Sequence, residues 1–236
     1  MDSYSFKVGE KTIEFSLSRK ERKHIRINVL PDFSVEVIAP IEKQIDDILF
    51  RVRKRATWIL KQQRYFQQFH PFEPVKEYVS GETHKYLGRQ YRLKVSDSNK
   101  NQVKLKGKYI TVLSKDKSDS ELTKNLLNEW YRTLAKRRFT KIIDNYTEKL
   151  RKYDINKPKL TIRQMKTRWG SCSKNNEHII LNLELVKAPI HCIEYVIMHE
   201  LCHLKYPEHT KEYYQFLTMM MPDWKQRKLR LEKGGI

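Results

Sequence analysis

The chain has 236 residues, with 48 Lys or Arg against 28 Asp or Glu and a formal net charge of +20. Hydrophobic residues make up 39% and charged residues 32%, which excludes a disordered chain, and no segment has the roughly 18 consecutive apolar residues of a membrane helix. The three cysteines, Cys172, Cys192 and Cys202, lack the spacing of a disulfide framework or a four-cysteine zinc site. We therefore expect a soluble, cytoplasmic protein with reduced cysteines and no membrane partner.

The excess of basic residues favours contact with a polyanion, such as a nucleotide or a nucleic acid. Most of these residues are scattered along the chain, and only residues 19–24 and 51–55 form dense runs. A solvated surface explains the same composition. The sequence leaves both interpretations open.

The first 40 residues predict β-strands. Apolar residues alternate on both sides of a turn at Gly9, and again over residues 25–29 and 35–37. Beyond them, apolar residues recur at three-, four- and seven-residue steps, which predicts one helix over about residues 41–66.

Residues 67–80, which include Pro71 and Pro74, predict a linker. Two hairpins are predicted after it, one centred near Gly88 and one at Gly107. No internal repeat is recognisable in the sequence.

A long helix is predicted from Asp119 or Ser120, either of which can cap its N-terminus. The apolar stripe of this helix consists of Leu122, Leu126, Trp130 and Leu134, and later of Ile142, Tyr146 and Leu150. Short strands are predicted over residues 160–164 and 179–185.

Pro189 is suited to the first turn of a helix that runs through His203, and residues 210–221 predict a final helix. The fold class is therefore α+β, with a β-rich N-terminal part followed by a helical part with a small sheet.

Residues 199–203 have the sequence His-Glu-Leu-Cys-His, the H-E-x-x-H arrangement of zinc peptidases. Helix positions i and i+4 lie on one face, so His199 and His203 can bind the same metal ion. Glu200 lies beside that face, where it can act as general base toward a water on the metal. Zinc lowers the pKa of such a water towards about 7 and polarises the oxygen under attack.

A third protein ligand would complete a catalytic zinc site and leave one position open for water. Residues 206–207, Tyr-Pro, end the helix and let the chain turn back, which favours His209 as that ligand. The spacing from His203 to His209 equals that in H-E-x-x-H-x-x-G-x-x-H, although a tyrosine stands at the glycine position. Glu208 and Glu212 are rival ligands, because carboxylates also complete such sites.

A second unusual stretch, RQMKTRWGSC, runs from Arg163 to Cys172. Together with residues 199–204 and with His209, it resembles the YgjP-like metallopeptidase family. That family is similar in turn to the SprT-like proteases and to minimal zinc proteases of the gluzincin group. The resemblance extends over most of the chain, and the two C-terminal motifs are its specific part.

The pattern of elements predicts a β-rich region with one helix over residues 1–115, and with the resemblance it predicts a zincin-like metallopeptidase domain over residues 116–236. The resemblance also implies Zn²⁺ on three ligands and a catalytic Glu200, the ligands being His199, His203 and His209. The Arg163–Cys172 stretch should then lie near the active site, where Arg168 would bind an anionic substrate group or oxyanion. A structural ion pair is the rival role for Arg168.

Three functions fit this sequence. The preferred one is a metalloprotease that acts on a peptide or protein, which would pair with a strand beside the metal helix, a place that residues 179–185 fit. The second is a metal-dependent nucleotide pyrophosphatase or phosphohydrolase, with phosphates held by Arg163, Lys166 and Arg168. The third is a nucleic-acid-associated protease of the SprT-like kind. Cleavage specificity and oligomeric state stay open.

Overall fold

The structure, a computed structural model, describes residues 2–30, 32–67, 76–165, 168–173 and 177–233. It contains strands and helices in two compact units, residues 1–72 and 73–236, each with its own apolar cluster, so the predicted α+β class is confirmed. The division between the units falls within the predicted linker, most of which lies outside the described residues. The domain boundary predicted after residue 115 stays a prediction. Among the described residues, none of the helices combines the length and hydropathy of a membrane span.

The first unit is a four-stranded sheet followed by helices. Its strands are β1 (Asp2–Val8), β2 (Lys11–Lys20), β3 (Arg26–Val29) and β4 (Val35–Pro40), in the order β1-β2-β4-β3. The helices are α1 (Ile45–Lys54) and α2 (Ala56–Gln67). They replace the single helix predicted over residues 41–66, because the backbone of Arg55 leaves the helical region at φ −99° and ψ 4°.

The second unit begins with another four-stranded sheet and a long helix. The elements are β5 (Thr83–Tyr86), β6 (Arg89–Asp97), β7 (Gln102–Lys106), β8 (Tyr109–Ser114) and α3 (Ser120–Leu150). The Asp119 side chain caps α3 by accepting from the amide of Leu122 at 2.8 Å. The first half of the stripe predicted for α3 is displaced by one position, because the buried side includes the polar Thr123 and the small Ala135, which an apolar pattern overlooks. In the second half, Ile142 and Leu150 are buried as predicted.

The two four-stranded sheets have the same topology. In each, the first two strands and the last two strands are antiparallel neighbours, and the second and fourth strands pair in parallel, giving the orders β1-β2-β4-β3 and β5-β6-β8-β7. Each sheet is followed by a helix. This repeat is not recognisable in the sequence because the two sheets share the alternation of buried positions but not the residue types. For example, the buried Phe6 in β1 corresponds to the buried His84 in β5.

The rest of the second unit is a small sheet with three helices. The strands are β9 (Lys159–Arg163), β10 (Gly170–Ser173) and β11 (His178–Asn182), in the order β10-β11-β9. The helices are α4 (Ile190–Lys205), α5 (Lys211–Met220) and α6 (Trp224–Lys233). The strand predicted over residues 179–185 ends at Asn182, where a 3-10 helix begins, and α6 follows the helix that the sequence predicts to be the last.

The turn of the β5–β6 hairpin packs against the beginning of α4. The amides of Leu87 and Gly88 donate to the carbonyls of Val186 and Lys187 at 3.0 and 2.9 Å. Gly88 has a φ of +77°, and a Cβ there would lie 2.9 Å from the Cα of Pro189, the N-cap of α4. The second sheet thereby holds the helix that carries the H-E-x-x-H motif.

Candidate active site

Helix α4 is held by the core on most of its surface. Cys192, Ile193, Ile197 and Leu201 are completely buried, so the helix cannot rotate without exposing apolar area. It ends at Lys205 because Tyr206, which precedes a proline, adopts extended backbone. The short connection to α5 then returns towards α4.

This return brings three imidazoles together. The Nε2 atom of His209 lies 3.1 Å from Nε2 of His203 and 3.2 Å from Nε2 of His199. These histidines form the only group of three possible metal ligands found within the described ranges. Glu208 and Glu212, the rival third ligands, are exposed and lie outside this group.

The separations fit a tetrahedral ion. With metal–nitrogen bonds of about 2.0–2.1 Å, tetrahedral geometry places two nitrogen ligands roughly 3.3 Å apart, close to the separations of the Nε2 atoms. Three imidazole lone pairs facing one point would repel one another unless a cation lay between them. The donor set therefore fits zinc, for which imidazole nitrogen is a common ligand.

In two of the three histidines, the second ring nitrogen lies within hydrogen-bonding distance of an oxygen atom. Nδ1 of His203 lies 3.1 Å from the carbonyl of Tyr206, and Nδ1 of His199 lies 2.7 Å from the hydroxyl of Tyr213. The Tyr213 hydroxyl also donates to the backbone carbonyl of His199 at 3.1 Å. A metal ion held by Nε2 would place the proton of each ring on Nδ1, where these two oxygens can accept it.

Tyr213 contacts all three histidines and is completely buried. Its ring stacks on His203 with centroids 4.6 Å apart and meets His209 at nearly a right angle, with centroids 4.8 Å apart. It lies one helical turn after His209, at the start of α5, where Thr210 caps the helix. Tyr213 is thus a shared packing partner of the three rings, beside Tyr195 on His199 and Tyr214 on His209.

The surroundings keep the histidines neutral, which is the form that binds metal. Burial, followed by the neighbouring His203 and His209, lowers the pKa of His199 to about 3. Burial also lowers the pKa of His203 and of His209.

Glu200 lies on the inner side of α4 and is only 5% exposed. Burial raises its pKa to about 8, and the guanidinium of Arg168 opposes this shift. Glycine at residue 170 in β10 leaves room for this side chain, since a Cβ there would lie 2.5 Å from Oε1 and 2.8 Å from Cγ of Glu200. Close packing between β10 and α4 therefore depends on Gly170.

The three basic residues predicted to bind substrate occupy different situations. Arg168 is exposed but close enough to Glu200 to influence its pKa. Arg163 is exposed at the end of β9, with no contact to the site in the described residues. Lys166 lies outside the described residues.

Asn182 holds the segment that carries Arg168. Its side-chain amide donates to the carbonyls of Met165 and Arg168 at 2.8 and 3.1 Å, and its backbone amide donates to the carbonyl of Trp169 at 2.9 Å. Asn182 is 4% exposed, so this anchor is shielded from water.

Three residues of the site are not found by reasoning from the sequence. Gly170 has a weak signal, since a lone glycine in a strand often marks close backbone approach. Asn182 and Tyr213 have none, because their contacts join segments that are distant along the chain. The cysteines match expectation: all three are free thiols, and burial raises the pKa of each.

A carboxylate beside converging imidazoles on a buried helix defines the class of this protein, a metal-dependent hydrolase. The comparison with protein families agrees, because the model of the YgjP-like family, described as a metallopeptidase domain, matches residues 23–234. The match spans nearly the whole chain, so the chain belongs to the YgjP-like metallopeptidase family, and the resemblance seen in its sequence is confirmed. No curated protein matches the chain.

Proposed function

We propose that the chain is a zinc-dependent peptidase whose ligands are His199, His203 and His209 and whose general base is Glu200. The observation that carries this proposal is the convergence of three Nε2 atoms, with separations of 3.1 and 3.2 Å, on the helix that holds the buried carboxylate. Zinc bound there would supply an acidic water and polarise the carbonyl oxygen of the substrate.

Glu200 takes the proton from the attacking water and later gives it to the leaving amine. Its carboxyl group is screened from bulk water by β10, so it can hold that proton between the two steps. A divalent cation at the imidazoles favours the carboxylate form and lowers the raised pKa of Glu200. Arg168 acts in the same direction.

The substrate peptide would lie along β10. Residues 179–185 are excluded from this role by the sheet order, because β11 is the central strand and pairs on both edges. β10 pairs only with β11 within the described residues and packs on α4 through Gly170, so its other edge can accept an extended peptide. Arg168 then lies two residues before the strand, where it can bind an anionic group of the substrate.

The test is a mass-spectrometric screen for new peptides after incubation of zinc-loaded protein with unfolded proteins. We expect cleavage by the wild type, loss of cleavage with a chelator, and a fall in rate of at least about 10²-fold in Glu200→Gln, which lacks the general base. Glu212→Gln is the matched control, because Glu212 is an exposed carboxyl group outside the histidine cluster.

Metal content separates the two roles. His209→Ala should lose bound zinc, whereas Glu200→Gln should keep it. Nucleoside triphosphates belong in the same screen, because Arg168 could also hold a phosphate. Release of phosphate or pyrophosphate that disappears in Glu200→Gln, without any new peptide, would contradict the peptidase proposal.

A further inference from the structure

The second sheet has one face that is basic and lacks acidic residues. Strand residues alternate between the core and the outside, and the outward positions of β5, β6, β7 and β8 all lie within residues 83–114, which the structure describes in full. Five of these positions are basic and none is acidic: Lys85, Arg92, Lys94, Lys104 and Lys106.

The pairing register arranges four of these cations as a rectangle. Arg92 and Lys106 are both paired with Tyr109 of the strand between them, and Lys94 and Lys104 are both paired with Thr111. Alternate residues are about 6.6 Å apart along a strand and neighbouring strands about 4.8 Å apart, so the rectangle measures roughly 7 by 10 Å. All four side chains are exposed.

These charges are not compensated within the described chain. None of Arg92, Lys94, Lys104 and Lys106 forms an ion pair with a carboxylate of the described residues, and Arg92 donates to the carbonyl of Gly81 at 2.7 Å. Like charges on one sheet face destabilise the fold. The arrangement therefore has no evident structural benefit.

The first sheet supplies an internal reference because its topology is the same. Its outward charged positions are mixed in sign, with three basic and two acidic residues: Lys7, Lys20 and Arg26 against Glu14 and Glu36. A solvated sheet in this chain can thus carry balanced charge. The one-sided charge of the second sheet is a property of that face and not of the topology.

An aromatic ring stands among the four cations. Tyr109 is 41% exposed, lies between Arg92 and Lys106, and has the ammonium group of Lys108 at 5.7 Å from its ring centroid. An exposed ring flanked by cations can stack a base while the cations bind the adjoining phosphates. Bases of a duplex are already stacked and are not available to a flat sheet.

We propose that this face, formed by Arg92, Lys94, Lys104, Lys106 and Tyr109 and called here the basic sheet face, binds single-stranded nucleic acid. The proposal is independent of the peptidase function, since none of these residues belongs to the metal site. The net charge of +20 favours a polyanionic partner but does not identify it, and the proposal identifies that partner as single-stranded nucleic acid.

The test measures the fluorescence anisotropy of a labelled oligothymidylate with the full-length protein at increasing salt. Changing the four cations to Gln should weaken binding at least about tenfold at low salt and reduce the slope of log K against log salt by about 3, at about 0.7 per phosphate contact. Tyr109→Ser should weaken binding about fivefold or more and leave the salt slope unchanged, because it removes stacking and no charge.

The matched control removes four exposed cations from α3 by changing Lys136, Arg137, Lys141 and Lys149 to Gln. It has the same net charge as the sheet variant and should keep most of the affinity. Equal losses in both variants would overturn the proposal, because binding would then follow net charge alone. So would a wild type that binds vesicles of acidic phospholipid but not the oligonucleotide.

Discussion

The two units of the chain bury different kinds of side chain. Among the described residues of the first unit, the buried side chains are apolar, from Phe6 to Ile59. The second unit also buries polar or ionisable groups: His84, Ser114, Thr123, Thr147, Asn182 and Glu200. Four of these groups are hydrogen-bonded away from the candidate site, and Asn182 and Glu200 belong to the site itself. Buried polar groups destabilise a fold unless their hydrogen bonds are satisfied, so the second unit needs partners that the first does not.

The two four-stranded sheets differ in what the turn of their first hairpin contacts. The turn of the first hairpin is free, since no atom lies within 4 Å of a Cβ placed on Gly9. The turn of the second hairpin is packed against α4 through Gly88. One topology thus serves as an independent scaffold in the first unit and as a support for the metal helix in the second.

The largest predicted effect concerns the buried carboxyl group of the second unit. It is the change in pH-dependent stability caused by Glu200→Gln in metal-free protein. The unfolded chain loses the Glu200 proton near pH 4.5, and the folded chain only near pH 8. Because the folded pKa is raised, its stabilising contribution is complete below about pH 4.5 and is lost as the pH rises through about 8. Over this window the wild type should lose up to roughly 4–5 kcal/mol relative to the variant.

Urea unfolding at acidic, neutral and alkaline pH checks this expectation, with Glu148→Gln as the control for an exposed carboxyl group. Zinc should reduce the difference, because a nearby cation favours the carboxylate. If the free energies of unfolding of the wild type and of Glu200→Gln depend on pH in the same way, folding does not raise the pKa of Glu200.

The next effect compares Gly88→Ala with Gly9→Ala. Both glycines have positive φ, +77° and +61°, so alanine should cost about 1 kcal/mol at either position. Only at Gly88 does the new Cβ meet a neighbour, Pro189, which adds about 1–3 kcal/mol of overpacking. We expect Gly88→Ala to lose roughly 2–4 kcal/mol in the free energy of unfolding.

Zinc affinity provides a second measurement for the comparison of Gly88→Ala with Gly9→Ala. Gly88→Ala displaces the beginning of α4 and should weaken zinc binding, whereas Gly9→Ala should leave it unchanged. Chemical denaturation and metal competition on the two variants measure both quantities. If the two alanines have the same effect, the second hairpin does not support the metal helix.

Local patterns in the sequence predict the parts of this molecule that depend on local spacing. Histidines at i and i+4 share a helix face whatever surrounds them, and glycine turns flanked by alternating residues form hairpins. The association of His209 with His199 and His203 is favoured by Pro207, the second residue after the helix, which ends α4 and lets the chain turn back. The roles of these residues in catalysis remain predictions.

Contacts between distant segments are what the sequence does not reveal. The place of β11 at the centre of its sheet depends on β9 and β10 together, and the buried side of α3 depends on the sheet that it covers. The contact between Gly170 and Glu200 joins a strand to a helix. No spacing rule connects such residues, so they become visible only in the folded chain.

The smallest predicted effect is the loss of one buried tyrosine hydroxyl group. It distinguishes a hydroxyl group that stabilises the fold from one that supports the candidate metal site. Tyr131 and Tyr213 are both buried, and each uses its hydroxyl in a hydrogen bond: Tyr131 with the carbonyl of Lys85 at 2.8 Å, and Tyr213 with Nδ1 of His199 at 2.7 Å. Phenylalanine at either position should lower the free energy of unfolding by about 1 kcal/mol, because one buried hydrogen bond is lost.

Only Tyr213→Phe should change zinc affinity. The hydroxyl of Tyr213 orients a ligand, and loss of such a partner lowers metal affinity about 10–100-fold, equivalent to about 1.4–2.7 kcal/mol. Competition with a chelating dye measures the affinity, and the visible spectrum of the cobalt-substituted protein reports the ligand geometry. A change in both for Tyr213→Phe, with neither in Tyr131→Phe, assigns Tyr213 to the metal site. Unchanged zinc affinity in Tyr213→Phe would show that Tyr213 serves only packing. The buried polar groups of the second unit would then be explained by the fold and not by a role in the metal site.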